Sequence, residues 1–246
     1  MRSFLLPASL VFACACNSPA PQTSSVEPGS PPPLAERSAE LPDGWRTADP
    51  NTFEEMAQAW APAGGRTLTE AVASELAAAL VPQDDGSIRA AVLLGRALDE
   101  RSREILIQRL EARVFGPARA SDAADCICAA SLAAHALSKS ELDRLQDVVI
   151  GTVVHPDVEV RVETARVLLA AGRDEVIPFL LTVLREGTLD QEATVAWERK
   201  PTMAWPKSRA AEALSERAGV PCDYHPDSSF ARQAREATKL AQRLGY

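Results

Sequence analysis

The chain has 246 residues, 46% of them apolar, and 26 Lys+Arg stand against 34 Asp+Glu for a net charge of −8. Acid spread along the whole length repels phosphate and argues against nucleic acid as a partner. With an N-terminal segment set aside, roughly 200 residues remain, enough to bury a core as one elongated domain.

The chain opens with Arg2, an apolar run from Phe4 to Ala13, and Cys14-Ala15-Cys16. Such a run is too short to span a bilayer and has the form of a secretory signal. Val11-Phe12-Ala13-Cys14 resembles the lipobox of bacterial lipoproteins, in which the cysteine carries the lipid and becomes the new N-terminus. The resemblance implies lipid attachment at Cys14, with Cys16 as the alternative in a second frame, and a protein anchored to a membrane of the bacterial envelope, at its periplasmic face or at the cell surface. An ordinary signal peptide with incidental cysteines is the alternative. Residues 17–43 hold Ser18-Pro19-Ala20-Pro21 and Pro31-Pro32-Pro33 with few apolar anchors. Proline there removes backbone donors and favours extended chain, so the segment is expected to be a disordered linker after the 1–16 signal and before a folded part over 44–246.

Helix signals begin at Asp49-Pro50, a capping residue followed by proline at the first helical position, with Thr52-x-x-Glu55 as a second candidate cap. Phe53, Met56, Ala57 and Trp60 share one face, and Pro62 with Gly64-Gly65 ends the segment. Thr67-x-x-Glu70 predicts a capping box for a helix through Val72, Leu76, Ala79 and Leu80. Helix pairs are then expected over 87–98 and 100–115, over 121–137 and 140–154, and over 157–171 and 175–186. Ser138-x-x-Glu141 forms a box between the middle two, Gly172 and Gly187 are placed as C-terminal stops, and only Arg109 is off the apolar pattern of its helix. No comparable alternating β pattern occurs, so the chain reads as all-α.

A small-then-aliphatic phrase returns four times, at Ala90-Ala91-Val92-Leu93-Leu94, Ala129-Ala130-Ser131-Leu132-Ala133, Thr164-Ala165-Arg166-Val167-Leu168 and Ala210-Ala211-Glu212-Ala213-Leu214. The starts are 39, 35 and 46 residues apart. A period of about 40 is that of stacked helix pairs, whose small residues let neighbouring helices approach. Around the third copy, Pro156-Asp157-Val158-Glu159-Val160-Arg161-Val162-Glu163-Thr164-Ala165-Arg166-Val167-Leu168 followed by Val176-Ile177-Pro178-Phe179-Leu180 closely resembles a HEAT repeat. The resemblance implies an α-α superhelix, a HEAT-like solenoid, in which Asp157 and Arg161 bridge neighbouring repeats. The other copies carry Gly86-Ser87, Asp125-Cys126 and Pro206-Lys207 at the Val-Arg slots. Only the last keeps a cation, which argues against a regular charge ladder at those slots. The stretch from Trp205 to Ala237 is also similar to the closing repeat of some bacterial HEAT-containing proteins, implying a capping element.

Little else points to chemistry. Cys126 and Cys128 lie two apart on a helix and so point about 200° apart, unable to bridge each other or grip one metal together. Both read as small core residues, with a disulfide from either to Cys222 as the alternative. The three histidines, His135, His155 and His225, lack partners at ligand spacing, and no Gly-x-Ser-x-Gly, P-loop, His-Glu-x-x-His or dinucleotide pattern occurs. No catalytic residue, cofactor or metal ligand is assigned.

One segment breaks the rhythm. An insertion over 188–205 carries Trp197, Arg199, Lys200 and Trp205, and is expected as a long loop. Its tryptophans either fold back as a lid on the terminal core or, with the cations, form an interaction surface. The leading expectation is a non-enzymatic, lipid-anchored scaffold that binds unknown envelope proteins. The alternative is an enzyme or enzyme accessory of the HEAT-like bilin-lyase type, with a small-molecule pocket that includes Cys222, Tyr224 and His225.

Overall fold

The caps written into the sequence set the helix starts. Asp49 accepts hydrogen bonds from the backbone amides of Asn51 and Thr52 and opens α1, Pro50–Trp60. Thr69, not Thr67, caps α2, Glu70–Ala79, by accepting from the amide of Val72. Ser138 and Glu141 form the full reciprocal box at the start of α6, Lys139–Ile150, and Asp157 accepts from the amides of Glu159 and Val160 to open α7, Val158–Ala170. Each such cap is worth about 1 kcal/mol. Gly172, at φ +82°, ends α7 in the left-handed conformation that glycine adopts without strain. The other elements are α3, Asp85–Ala97; α4, Glu100–Val114; α5, Ala123–Ser131; α8, Ile177–Arg185; α9, Ala196–Ala218; and α10, Phe230–Arg243.

The structure is a computed structural model that describes residues 40–246 apart from 63–64, 81–84, 115–122 and 186–195. The lipobox cysteines, most of the linker and Gly187 lie outside the described residues. Among those described there is no strand, and no helix is long and apolar enough to cross a membrane.

Packing follows the repeat phrase. Its four copies fall on α3, α5, α7 and α9, and these helices form one row, α3 on α5, α5 on α7 and α7 on α9. The intervening helices lie behind them, with α2 on α4, α4 on α6 and α8 on α10. This alternation of two rows makes an all-α helical repeat fold, and one hydrophobic core runs through it from Trp45 to Ala241. In the first, third and fourth copies the two small residues and the final leucine are buried. The second copy buries Ala129 and Leu132, then leaves the α-helix for a short 3-10 turn at Leu132–Ala134. The expected helix over 121–137 is shortened accordingly. At Gly95 the row is close enough that an added Cβ would clash with Ser131 Oγ.

The expected 188–205 loop is not observed as a loop over its second half. Its last ten residues form the start of α9, which at 23 residues is much longer than the 13 of α7. Good helix formers such as Ala196, Glu198, Arg199 and Lys200 account for the extension, and Pro201 and Pro206 sit within the helix rather than ending it.

Candidate functional site

The side chains that join the repeats are mostly arginines. Arg96 of α3 pairs with Glu54 of α1. Arg101 of α4 donates to the Leu68 carbonyl at 2.8 Å, and Arg103 of the same helix meets Glu141 of α6 at 2.6 Å. Arg144 reaches back from α6 to Glu104 and Glu111 of α4 at 2.7 and 2.6 Å. Arg173 holds Asp143 at 2.6 Å, Arg209 of α9 holds Glu163 of α7 at 2.8 Å, and Arg217 holds Asp174 through two bonds of 2.7 and 2.6 Å. A ladder therefore exists, but mostly away from the slots that the repeat pattern marks.

At those slots Arg161 reaches the preceding helix pair, whereas Asp157 acts within its own helix. The Asp157 carboxylate caps its own helix. Arg161 donates from Nε and Nη2 to the Val149 carbonyl at 3.1 and 2.8 Å and lies 4.3 Å from the centroid of the Phe179 ring. It thus ties α7 to the end of α6 and to α8. Lys207, the matching residue of the last copy, is buried and places Nζ 3.5 Å from Gln233 Oε1 of α10. Arg109, the off-pattern residue of α4, is explained by Asp125 of α5, 2.6 Å away and buried.

The expected interaction residues lie on α9. Trp197, Arg199 and Lys200 occupy its first turns, within the stretch whose side chains are not described. Trp205 is 42% exposed, so it does not close over the core as a lid. The Arg209 guanidinium lies 6.0 Å from the centroid of its ring, at the outer limit of a cation-π contact, and that guanidinium is fixed by Glu163 and by Glu212, each at 2.8 Å. Glu163 is buried and also accepts from Arg166 at 2.7 Å. Burial pushes its carboxyl above the ordinary carboxylate range, and the Arg209 charge opposes that shift. The arrangement presents a solvent-facing indole beside a cation that a buried carboxylate immobilises.

The trio named for a small-molecule pocket divides. Cys222 and His225 are exposed, whereas Tyr224 turns inward, its hydroxyl 3.2 Å from Gln233 Oε1 and 3.5 Å from the Leu184 carbonyl. Burial raises the Tyr224 phenol to about 12, so it stays neutral. Gln233 in turn donates to the carbonyls of Pro226 and Ser228 at 2.7 and 2.8 Å, pinning the 219–229 segment between α9 and α10. Cys126, Cys128 and Cys222 are all free thiols, so the expected alternative of a bridge to Cys222 is absent. Burial pushes the Cys126 thiol far up and keeps it protonated and unreactive. No group of three potential metal ligands occurs among the described residues.

No protein-family model matches this chain, and neither does any curated protein or solved structure compared with it.

Proposed function

We propose that this chain is a lipid-anchored protein of the bacterial envelope that acts as a non-enzymatic scaffold, binding a protein partner through the α9 end of a HEAT-like repeat stack. The observation that carries this reading is the solvent-facing Trp205 beside Arg209, whose guanidinium is held by Glu163 and Glu212. An exposed aromatic next to a preorganised arginine is the composition that dominates interface energies, because little side-chain entropy is lost when a partner covers it. Trp197, Arg199 and Lys200 extend the same helix in the direction of its N-terminus. Support for the anchor comes from the sequence, where Cys14 follows the apolar run and a proline-rich spacer follows Cys14.

Photo-crosslinking from position 205 in intact cells tests the scaffold. A discrete adduct that Arg209→Ala abolishes is expected; equal crosslinking from position 205 and from the exposed Lys139 overturns it. Metabolic labelling with a fatty acid tests the anchor. Cys14→Ser is expected to remove the label, loss with Cys16→Ser alone moves the site to Cys16, and an unlabelled wild-type chain removes the anchor.

A further inference from the structure

From Arg46 to Arg217, every arginine whose side chain is described has a partner: a carboxylate, a backbone carbonyl, an aromatic ring or another charged group. The last helix departs from this rule. Arg232, Arg235 and Arg243 of α10 are exposed, and among the described residues none of them has an ion pair. Lys239 pairs only with Glu236, one turn away on the same helix, and leaves its own side chain 66% exposed.

The spacing of the four cations is i, i+3, i+7 and i+11, which aligns them in one stripe along an α-helix. The opposite face, Gln233, Ala237, Leu240 and Ala241, is buried against the stack, so the stripe faces outward by construction. Within the helix Glu236 is the single acid, in a chain whose overall charge is −8. Charge is therefore inverted locally on the last helix. Tyr246, 54% exposed, follows its last turn.

We propose that α10 is a membrane-contact surface that lies against anionic phospholipid headgroups. A row of long, exposed cations along one helix, its arginines unpaired, matches a flat array of phosphates that can rearrange laterally. A protein partner with fixed carboxylates would instead favour cations already held in place, as Arg209 is. The Tyr246 ring beyond the last turn, with its hydroxyl edge, suits the headgroup layer. The contact needs no acylation, so it stands apart from the anchor at Cys14 and from the partner surface at Trp205. With the anchor in place it would set which face of the stack is turned to the bilayer.

The test uses the full chain carrying Cys14→Ser and Cys16→Ser, which removes acylation, and co-sedimentation with vesicles at low salt. Vesicles of phosphatidylglycerol mixed with phosphatidylcholine are expected to bind the protein at least tenfold more tightly than phosphatidylcholine alone. Each cation near an anionic surface contributes about fivefold, so the triple change Arg232→Ala, Arg235→Ala and Arg243→Ala is expected to cost on the order of 100-fold. The corresponding triple lysine variant is expected to retain binding, and both variants are expected to keep the wild-type helical circular dichroism. Equal binding to the two vesicle types overturns the proposal, because the apolar N-terminal run would bind both alike. So does unchanged binding by the folded alanine variant, loss of binding by the folded lysine variant, or capture by poly-glutamate without capture by anionic vesicles. An alanine or lysine variant that does not fold is replaced by Arg232→Gln with Arg243→Gln, for which unchanged binding again overturns it.

Discussion

The two ends of the fold use the same residue types in opposite ways. At the first end Trp45 and Trp60 are buried, Arg46 and Arg66 lie 4.6 and 4.7 Å from the centroids of their rings, and the Trp60 indole donates to the Glu40 carbonyl at 3.0 Å. Arg89 reaches from α3 to the carbonyls of Arg46 and Ala48 and fastens this end to the stack. At the last end Trp205 faces solvent and the arginines of α10 are uncommitted. Tryptophan and arginine pack into the core beside α1; beside α10, Tyr224, Lys207 and Gln233 fill the core, and Trp205 and the α10 arginines are left outward. The difference teaches that aromatic and cationic content alone does not mark a surface for binding.

The largest effect that would sharpen this contrast is at Trp60. Trp60→Ala is expected to lower unfolding stability by about 3 to 4 kcal/mol, measured as a shift of the urea midpoint, whereas Trp205→Ala is expected to change it by about 0.5 kcal/mol or less. Equal losses would erase the distinction between the ends. Next comes Glu163→Ala, which strips two arginines of a buried carboxylate and is expected to cost about 3 kcal/mol. It should also loosen Arg209, leaving it Glu212 alone, and reduce crosslinking from position 205.

Gly95→Ala follows. The added methyl clashes with Ser131 where α3 meets α5, and a loss of about 2 kcal/mol is expected, partly recovered when Ser131→Gly is added. A change confined to acid conditions is expected from His135. Both of its ring nitrogens are buried without a hydrogen-bond partner, and burial, helped by the Arg103 charge, holds its pKa below the ordinary 6.5. The unfolded chain therefore binds this proton first, and stability is lost as pH falls below 6.5 toward the folded value. His135→Leu is expected to flatten that part of the melting-temperature profile; an unchanged slope would assign it to other groups. The smallest effect is Arg232→Ala, for which no change of melting temperature is expected despite its predicted effect on vesicle binding.

Much of the local structure was legible before any packing was known. Asp49 and Ser138 cap helices as their spacing predicts, because a cap depends only on three or four consecutive residues. Thr67 and Thr69 were harder to separate, since both precede an amide that a hydroxyl can reach. The repeat phrase located the α3, α5, α7 and α9 row correctly for the same reason that it recurs: small residues are needed wherever two helices of that row touch. The 196–205 stretch forms helix where the sequence suggests a loop, because its good helix formers outweigh the irregular spacing of 46 residues.

Of the candidate surface, Trp205 was named from the sequence, but Arg209 and Glu163 were not, because nothing local links residues 46 apart. The unpaired cations of α10 were equally hidden: a stripe of arginines reads the same whether its partners are present or missing.

By itself the sequence determined that the chain is helical, where most helices begin, and which helices share a row, since caps and small-residue contacts are short-range properties of side-chain size and hydrogen-bonding chemistry. Only the tertiary structure decided which arginines fasten repeats and which face outward. Those pairings span 12 to 46 residues, and they depend on the register of one helix against another, which is set by how the core packs.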